Sequence, residues 1–342
     1  MAGISINVGL NSVDPAHYGN WDGKLSACEN DAHDMQRIAE AAGVEKTQVL
    51  LTKDATADAV SSAISGAAKE LGAGDFLFLT YSGHGGQVND TNSDEKEDAK
   101  DETWVLFDRQ LVDDELYALW SEFEPGTRIF VLSDSCHSGT VARVMLYEQA
   151  LTPVVVERNL IDDAQPRTKA LPLDVEERVY REHEQMYDEI QASHKTREEA
   201  DVRASLQLIS GCQDNQLSLD GTKNGMFTGR LLETWDEGKF EGGYRAFWKD
   251  ISKRMPATQS PNYFRVGARN PDFERQKPLT VVLDGAARPY RPYRPYREEE
   301  QEPAADGARI EGLERDNEVL RKALAIFARE SEGAPPASRP YR

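Results

Sequence analysis

The sequence predicts an α/β fold, a central and mostly parallel β-sheet flanked by helices on both faces. Two observations carry this. Short apolar runs alternate with amphipathic stretches along the first 140 residues, the pattern of a sheet with helices packed on it. Two of the apolar runs, Phe76 to Thr80 and Ile129 to Leu132, lead directly into polar segments rich in Gly and Ser. In open α/β sheets, ligands bind outside the carboxyl ends of the strands, where such segments lie.

In chain order, Ile4 to Val8 alternates like a strand, and Leu25 to Ala42 reads as a helix stopped by Gly43. Gln48 to Thr52 is a second strand and Asp58 to Leu71 a second helix. Strands at Phe76–Tyr81 and Thr103–Phe107, a helix over Asp113–Phe123 and a strand at Ile129–Leu132 continue the alternation. Residues 141–204 break it: Pro153, Pro166 and Pro172 precede a highly charged stretch from Val175 to Ala200, so this is expected to be an insertion, partly helical. Within it, Arg158, Arg167, Lys169 and Arg197 stand in segments of the kind where proteolysis concentrates. A strand at Ser205–Ile209, a helix at Phe227–Trp235 and a last strand at Leu279–Leu283 would complete the sheet.

One domain over residues 1–285 is therefore expected, its two parts, 1–140 and 205–285, separated by the insertion. Residues 286–342 form a tail of different composition. Its repeat ArgProTyrArgProTyrArgProTyrArg (Arg288–Arg297) favours an extended polyproline rod. Over residues 308–331, Ile310, Leu313, Asn317, Leu320, Leu324 and Phe327 alternate spacings of three and four, a heptad seam with Asn at an a position. Self-association, a partner helix and docking on the chain's own domain all fit this short seam.

Bulk properties narrow the function classes. The net charge of −20 argues against a nucleic-acid partner, whose phosphates need basic patches. No apolar run reaches the roughly 20 residues that cross a bilayer, and no leader pattern opens the chain, so a soluble cytoplasmic protein is expected. Three scattered cysteines, Cys28, Cys136 and Cys212, suit neither a disulfide framework nor a paired-ligand zinc site.

The chemistry concentrates in TyrSerGlyHisGlyGly (Tyr81–Gly86) and AspSerCysHisSerGly (Asp134–Gly139). Each follows an apolar strand, so His84 and Cys136 arrive at strand ends. A lone buried Cys is usually an inert small hydrophobe and a lone His a satisfied core residue. The two together form a nucleophile and a proton carrier, the minimum of a cysteine peptidase. The flanking glycines allow sharp turns and close substrate approach, and the N–H groups of Gly85 and Cys136 are candidates for an oxyanion hole.

These motifs resemble the His and Cys motifs of the caspase-like clan, and the Ser and His beside Cys136 resemble metacaspases, particularly the bacterial orthocaspases. LeuSerAlaCysGluAsnAspAla (Leu25–Ala32) is similar to the metacaspase segment that helps build the specificity pocket, and IleSerGlyCysGlnAspAsnGln (Ile209–Gln216) to the strand opening the small-subunit half. The resemblance covers about Ile4 to Leu283 outside the insertion. It implies a caspase-like fold, Cys136 as nucleophile and His84 as general acid and base. Asp31 and Asp134, with Cys28 nearby and Ser82 at the rim, would form the first specificity pocket. Two carboxylates in a pocket demand a cation, so protein or peptide substrates cut after Arg or Lys are implied.

By the same resemblance calcium would be bound by Asp101, Asp113 and Asp114, but Arg143 stands where a further Asp is expected, and both a calcium-dependent and a calcium-independent enzyme fit. The acidic run Asp90–Glu102 lacks the Gly of an EF-hand loop and reads as solvated. Chemistry itself requires no cofactor. An Arg- or Lys-directed peptidase makes self-processing expected in the insertion; in the tail Arg288, Arg291 and Arg294 precede Pro and are protected, which leaves Arg297 open. Two other readings remain: a non-catalytic caspase-like scaffold acting through the heptad segment, and a clostripain-like or separase-like peptidase.

Overall fold

The computed structural model describes residues 1–91, 100–136, 167–194, 200–212, 218–256 and 258–281. In chain order these form β1 (Gly3–Gly9), α1 (Cys28–Ala41), β2 (Lys46–Leu51), α2 (Ala57–Glu70), β3 (Phe76–Ser82), β4 (Gly85–Asn89), β5 (Lys100–Val105), β6 (Gln110–Val112), α3 (Asp113–Ser121), β7 (Arg128–Asp134), α4 (Leu173–Ser193), β8 (Ser205–Ser210), α5 (Met226–Trp235), α6 (Tyr244–Arg254), β9 (Asn262–Gly267) and α7 (Pro271–Arg275). All belong to one compact unit, Met1–Arg294.

Six strands form the main sheet in the order β2-β1-β3-β7-β8-β9, parallel except for β9, and β4-β5-β6 form a small antiparallel sheet. All seven residues of β3 and of β7 are buried, as central strands covered on both faces require. Their side chains alternate between two cores. Phe76, Phe78, Phe130 and Leu132 meet Met35 and Ile38 of α1, Phe227 and Leu231 of α5, and Phe247 of α6. Leu77, Leu79, Ile129 and Val131 meet Val60 and Ile64 of α2 and Leu116 and Trp120 of α3. The spacings of three and four along α1 and of four along α2 and α3 turn one stripe of each helix inward. At the head of α2 the Thr56 hydroxyl accepts the Ala59 N–H at 3.2 Å, a local signal that fixes where the helix starts.

This topology positions the site. From β1 the chain goes to β2 on one side and later to β3 on the other, so the sheet changes direction between β1 and β3 and opens a crevice at their carboxyl ends. Register then places Gly9 beside Ser82, and Ser82 beside Asp134.

Several expectations are corrected. The last strand is β9, antiparallel; Leu279–Val281 is not a strand, and Leu279 has φ +65°. There the buried Arg128 guanidinium takes the carbonyls of Thr280 (2.8 Å) and Val281 (2.6 Å), oxygens that a ladder would otherwise use. Within the expected insertion, residues 173–193 form the helix α4, whose Val175, Val179 and Tyr187 pack with Val13, Tyr18, Val88, Val105 and Val112. The acidic run is not wholly a solvated loop, since Lys100–Glu102 opens β5 and Asp101 is buried. The first helix begins at Cys28 rather than Leu25. Arg158, Arg197, Arg143 and the whole tail, with Arg297 and the heptad seam, lie outside the described residues. Among the described residues no helix is long and apolar enough to cross a membrane.

Candidate active site

His84 lies two residues past β3 and Cys136 two past β7, so adjacent parallel strands deliver both to one crevice. The His84 ring is buried and its Nε2 lies 2.9 Å from the Gly23 carbonyl. A carbonyl only accepts, so Nε2 carries the proton and Nδ1 keeps its lone pair. Nδ1 has no hydrogen-bond partner among the described residues. Trp21 meets the ring edge-on at 4.7 Å. The Cys136 Sγ is wholly buried against the Ser218 backbone, 2.6 Å from its N and 3.4 Å from its O. Among the described residues no hydrogen bond joins thiol to imidazole. Ala170 meets both: it packs against Cys136, and its backbone favours the protonated form of the His84 ring.

The carbonyl oxygen of Lys169 accepts two N–H groups, from Gly85 and from Cys136, each at 3.0 Å. These are the two donors expected from the sequence. The segment around it is extended: Lys169 N–H donates to Ser218 O (2.9 Å) and Asp220 N–H to Arg167 O (2.8 Å), in antiparallel pairing of Thr168 with Leu219. Beyond the carbonyl, Leu171 N–H donates to Gly85 O at 2.8 Å. A Cβ on Gly85 would collide with the Cys136 carbonyl, so any side chain here displaces backbone.

The Lys169 side chain is wholly buried in an acidic pocket. Its ammonium lies 3.1 Å from Asp31 Oδ2, 2.9 Å from Asp134 Oδ2 and 2.9 Å from Ser82 Oγ, three acceptors for three N–H groups. The remaining lone pairs are also engaged. Asp31 accepts the N–H of Gly225 (3.1 Å), the Asn224 amide (3.0 Å) and the Ser82 hydroxyl (2.7 Å); Asp134 accepts the hydroxyls of Ser218 and Thr228, both at 2.7 Å. Burial works against the ammonium, but Asp134 and Asp31 outweigh it and hold the Lys169 pKa well above its usual value. Burial raises the Asp31 carboxyl; Lys169 pulls it back, Asp134 pushes it up again, and the net direction is upward. Cys28 sits one turn before Asp31, wholly buried, with its thiol pKa raised by burial.

Of the ten residues singled out in the sequence, seven (Cys28, Asp31, Ser82, His84, Gly85, Asp134 and Cys136) thus surround one crevice. Asp101 in β5 and Asp113 and Asp114 in the first turn of α3 form a separate acidic region, with Asp101 and Asp114 buried. Among the described residues no group of three or more His, Cys, Asp or Glu side chains is arranged to hold a metal ion. Sequence reasoning missed the Gly23 carbonyl, Ser218, Asn224 and Thr228. It also missed Gly225, where a Cβ would fall on the Lys169 ammonium. Ser218, Asn224 and Gly225 lie in the polar stretch after β8 and Thr228 in the first turn of α5, where only the fold shows which polar residue turns inward.

Two imidazoles make the fold acid-sensitive. Burial above all lowers the His84 pKa from 6.5 to about 4, with Lys169 adding to it and the Gly23 hydrogen bond opposing. His17, stacked on His183 at 4.1 Å, is likewise lowered from 6.5 to about 4, by burial first and then by His183 and Arg109. A histidine whose folded pKa is depressed binds its proton more readily when unfolded, so its contribution is present above pH 6.5 and is lost as pH falls toward 4. For His84 the loss is at most about 3 kcal/mol. Urea midpoints should therefore drop between pH 7 and pH 4.5, and a midpoint unchanged across that window would contradict both assignments.

The model of the caspase domain family matches residues 13–281. Metacaspase-1 of Kluyveromyces lactis is 30% identical over 232 residues, 61% of this chain and 53% of the yeast protein. Metacaspase-1 of Mycosarcoma maydis is 29% identical over 234 residues, 62% of this chain and 58% of that protein. The chain thus spans just over half the length of these curated relatives. A Geobacter sulfurreducens protein of known crystal structure is 50% identical, with a TM-score of 0.73 over 83% of this chain and all of that one. With its match to the family model extending from ahead of the His84 segment to beyond β9, this chain belongs to the caspase-domain family.

Proposed function

We propose that the protein is a cysteine endopeptidase that cuts after Lys or Arg, and that its own Lys169–Ala170 bond is a substrate. One observation carries this reading: the Lys169 carbonyl sits between the N–H groups of Gly85 and Cys136 while its ammonium sits between Asp31 and Asp134. Residues 167–171 lie in the crevice as a substrate would.

In this reading Cys136 Sγ attacks the carbonyl carbon of the residue before the cut, and the C=O electron pair moves onto an oxyanion that accepts from Gly85 and Cys136 N–H. Such preorganised donors are worth about 10²–10³ in rate each. The thiol proton passes to His84 Nδ1 and from there to the leaving amine. The Nε2–H bond to Gly23 holds the ring in the tautomer that leaves Nδ1 free, and the Ala170 backbone acts directly on this ring. Collapse expels the amine and leaves a thioester on Cys136, which water hydrolyses with His84 taking the water's proton. Asp31 and Asp134 select the cation: Asp or Glu before the cut would add a third carboxylate to the pocket, and a neutral side chain would leave two buried carboxylates unpaired. No step runs through calcium.

The test is direct. Purified full-length protein is expected to divide into residues 1–169 and 170–342 by mass spectrometry, while a Cys136→Ala chain stays intact. Added peptides are expected to be cut after Lys and Arg and not after Asp. A wild-type chain that stays whole and cuts none of these peptides would leave only the non-catalytic scaffold.

A further inference from the structure

The chain beyond the Lys169 carbonyl meets features that recognition of a cation does not require. Gly85 grips the backbone on both sides of the bond, its N–H donating to Lys169 O and its carbonyl accepting from Leu171 N–H, in a parallel bridge that pairs Gly85 with Ala170. Ala170 packs against Cys136 and Cys212, both wholly buried. A side chain much larger than a methyl there must push into the nucleophile itself. In an extended chain the next side chain points the opposite way, and Leu171 does so into a closed apolar site. It is 2% exposed and belongs to the buried cluster that includes Val13, Val88, Val105 and Val112, all outside the 167–193 segment. Gly86 hollows one wall: a Cβ there would lie 3.1 Å from Leu171 Cδ2 and collide with the Gln110 amide oxygen.

We propose that the enzyme reads both sides of the bond it cuts, taking a small side chain immediately after the cut and a leucine-sized apolar side chain one residue further on. The inference rests on the peptidase reading above and adds a second specificity site to it, built by Gly85, Gly86, Cys212 and the valines around Leu171. A buried leucine is worth roughly 10- to 100-fold in transition-state binding, enough to choose among basic residues that fill the acidic pocket equally well. The sequence offers a second candidate bond. Of its 40 Lys and Arg residues, two alone are followed by Ala-Leu, Lys169 and Lys322.

The experiment uses full-length protein after self-cleavage has run to completion, with peptides spanning residues 164–174. The parent peptide is expected to be cut between Lys169 and Ala170. Versions carrying Leu171→Asp or Ala170→Trp should lose at least tenfold in kcat/KM. A peptide spanning residues 317–328, which contains both Arg321 and Lys322, should be cut after Lys322, since Arg321 is followed by Lys. Losses below tenfold for both versions, or cutting after Arg321 in preference to Lys322, would overturn the second site while leaving the peptidase reading intact. If no peptide is cut, the parent included, the peptidase reading fails and this inference fails with it.

Discussion

Replacing Lys169 with Met, in a Cys136→Ala background so that every chain stays whole, is expected to lower stability by about 3–5 kcal/mol at pH 8. Met keeps the length of the side chain and removes its charge. The Asp31 and Asp134 carboxylates then face one another without the ammonium that lies about 3 Å from each, and breaking a buried ion pair from one side leaves an uncompensated charge, which is the expensive case. The effect should depend on pH with a definite sign. Burial already raises Asp31, and losing Lys169 removes the largest of its lowering influences, ahead of the Ser82 and Asn224 hydrogen bonds. A carboxyl whose folded pKa lies above its unfolded value holds its proton better when folded, so its contribution is present at low pH and is lost as pH rises through the folded pKa. The gap between the Lys169→Met chain and its parent should therefore narrow at pH 5. Urea unfolding at both pH values measures it. A gap below 1 kcal/mol, or one that widens in acid, would show that the two carboxylates do not depend on this lysine.

Much of the fold was legible because central strands and their covering helices announce themselves by period. The runs Phe76–Thr80 and Ile129–Leu132 are apolar on both faces, and α1, α2 and α3 carry their inward stripes plainly. Weak elements were not legible. β4 is two glycines with a Gln, a Val and an Asn, and β9, AsnTyrPheArgValGly, is only partly buried at the sheet edge, so neither shows a clean alternation. The reverse error at Leu279–Val281 has the same origin: an apolar stretch resembles a strand whether its carbonyls meet a ladder or, as here, a buried arginine. Within the site, His84 and Cys136 could be named beforehand because apolar strands lead straight to them, whereas Cys28, Asp31, Ser82 and Asp134 were named through the family resemblance. Lys169 could be named as a basic residue near a cut but not as the occupant of the pocket. Nothing local in ProArgThrLysAlaLeuPro says that its Lys is buried; that follows from two buried carboxylates 138 and 35 positions away in the chain, at Asp31 and Asp134.

A Gly85→Ala chain should lose about 10²–10³ in the rate of self-cleavage, and this is the sharpest separation of chemistry from binding that the site allows. The Cβ would overlap the Cys136 carbonyl oxygen, so that carbonyl or the Gly85 backbone itself must move aside. One methyl group therefore disturbs the Gly85 N–H, one of the two donors to the Lys169 oxygen at 3.0 Å, and also the carbonyl that takes Leu171 N–H. The acidic pocket is formed by other residues, so its grip on the lysine ammonium should persist, and the loss should fall mainly on kcat for added peptides and less on KM. Stability offers the control. The position is backbone-paired at the edge of the small sheet, and the folded Gly85→Ala chain should keep a cooperative unfolding transition, because none of the three apolar clusters loses a side chain. If the substitution instead left kcat unchanged and raised only KM, Gly85 would be a binding contact with no part in stabilising the oxyanion, and the second donor would have to be sought elsewhere in the crevice.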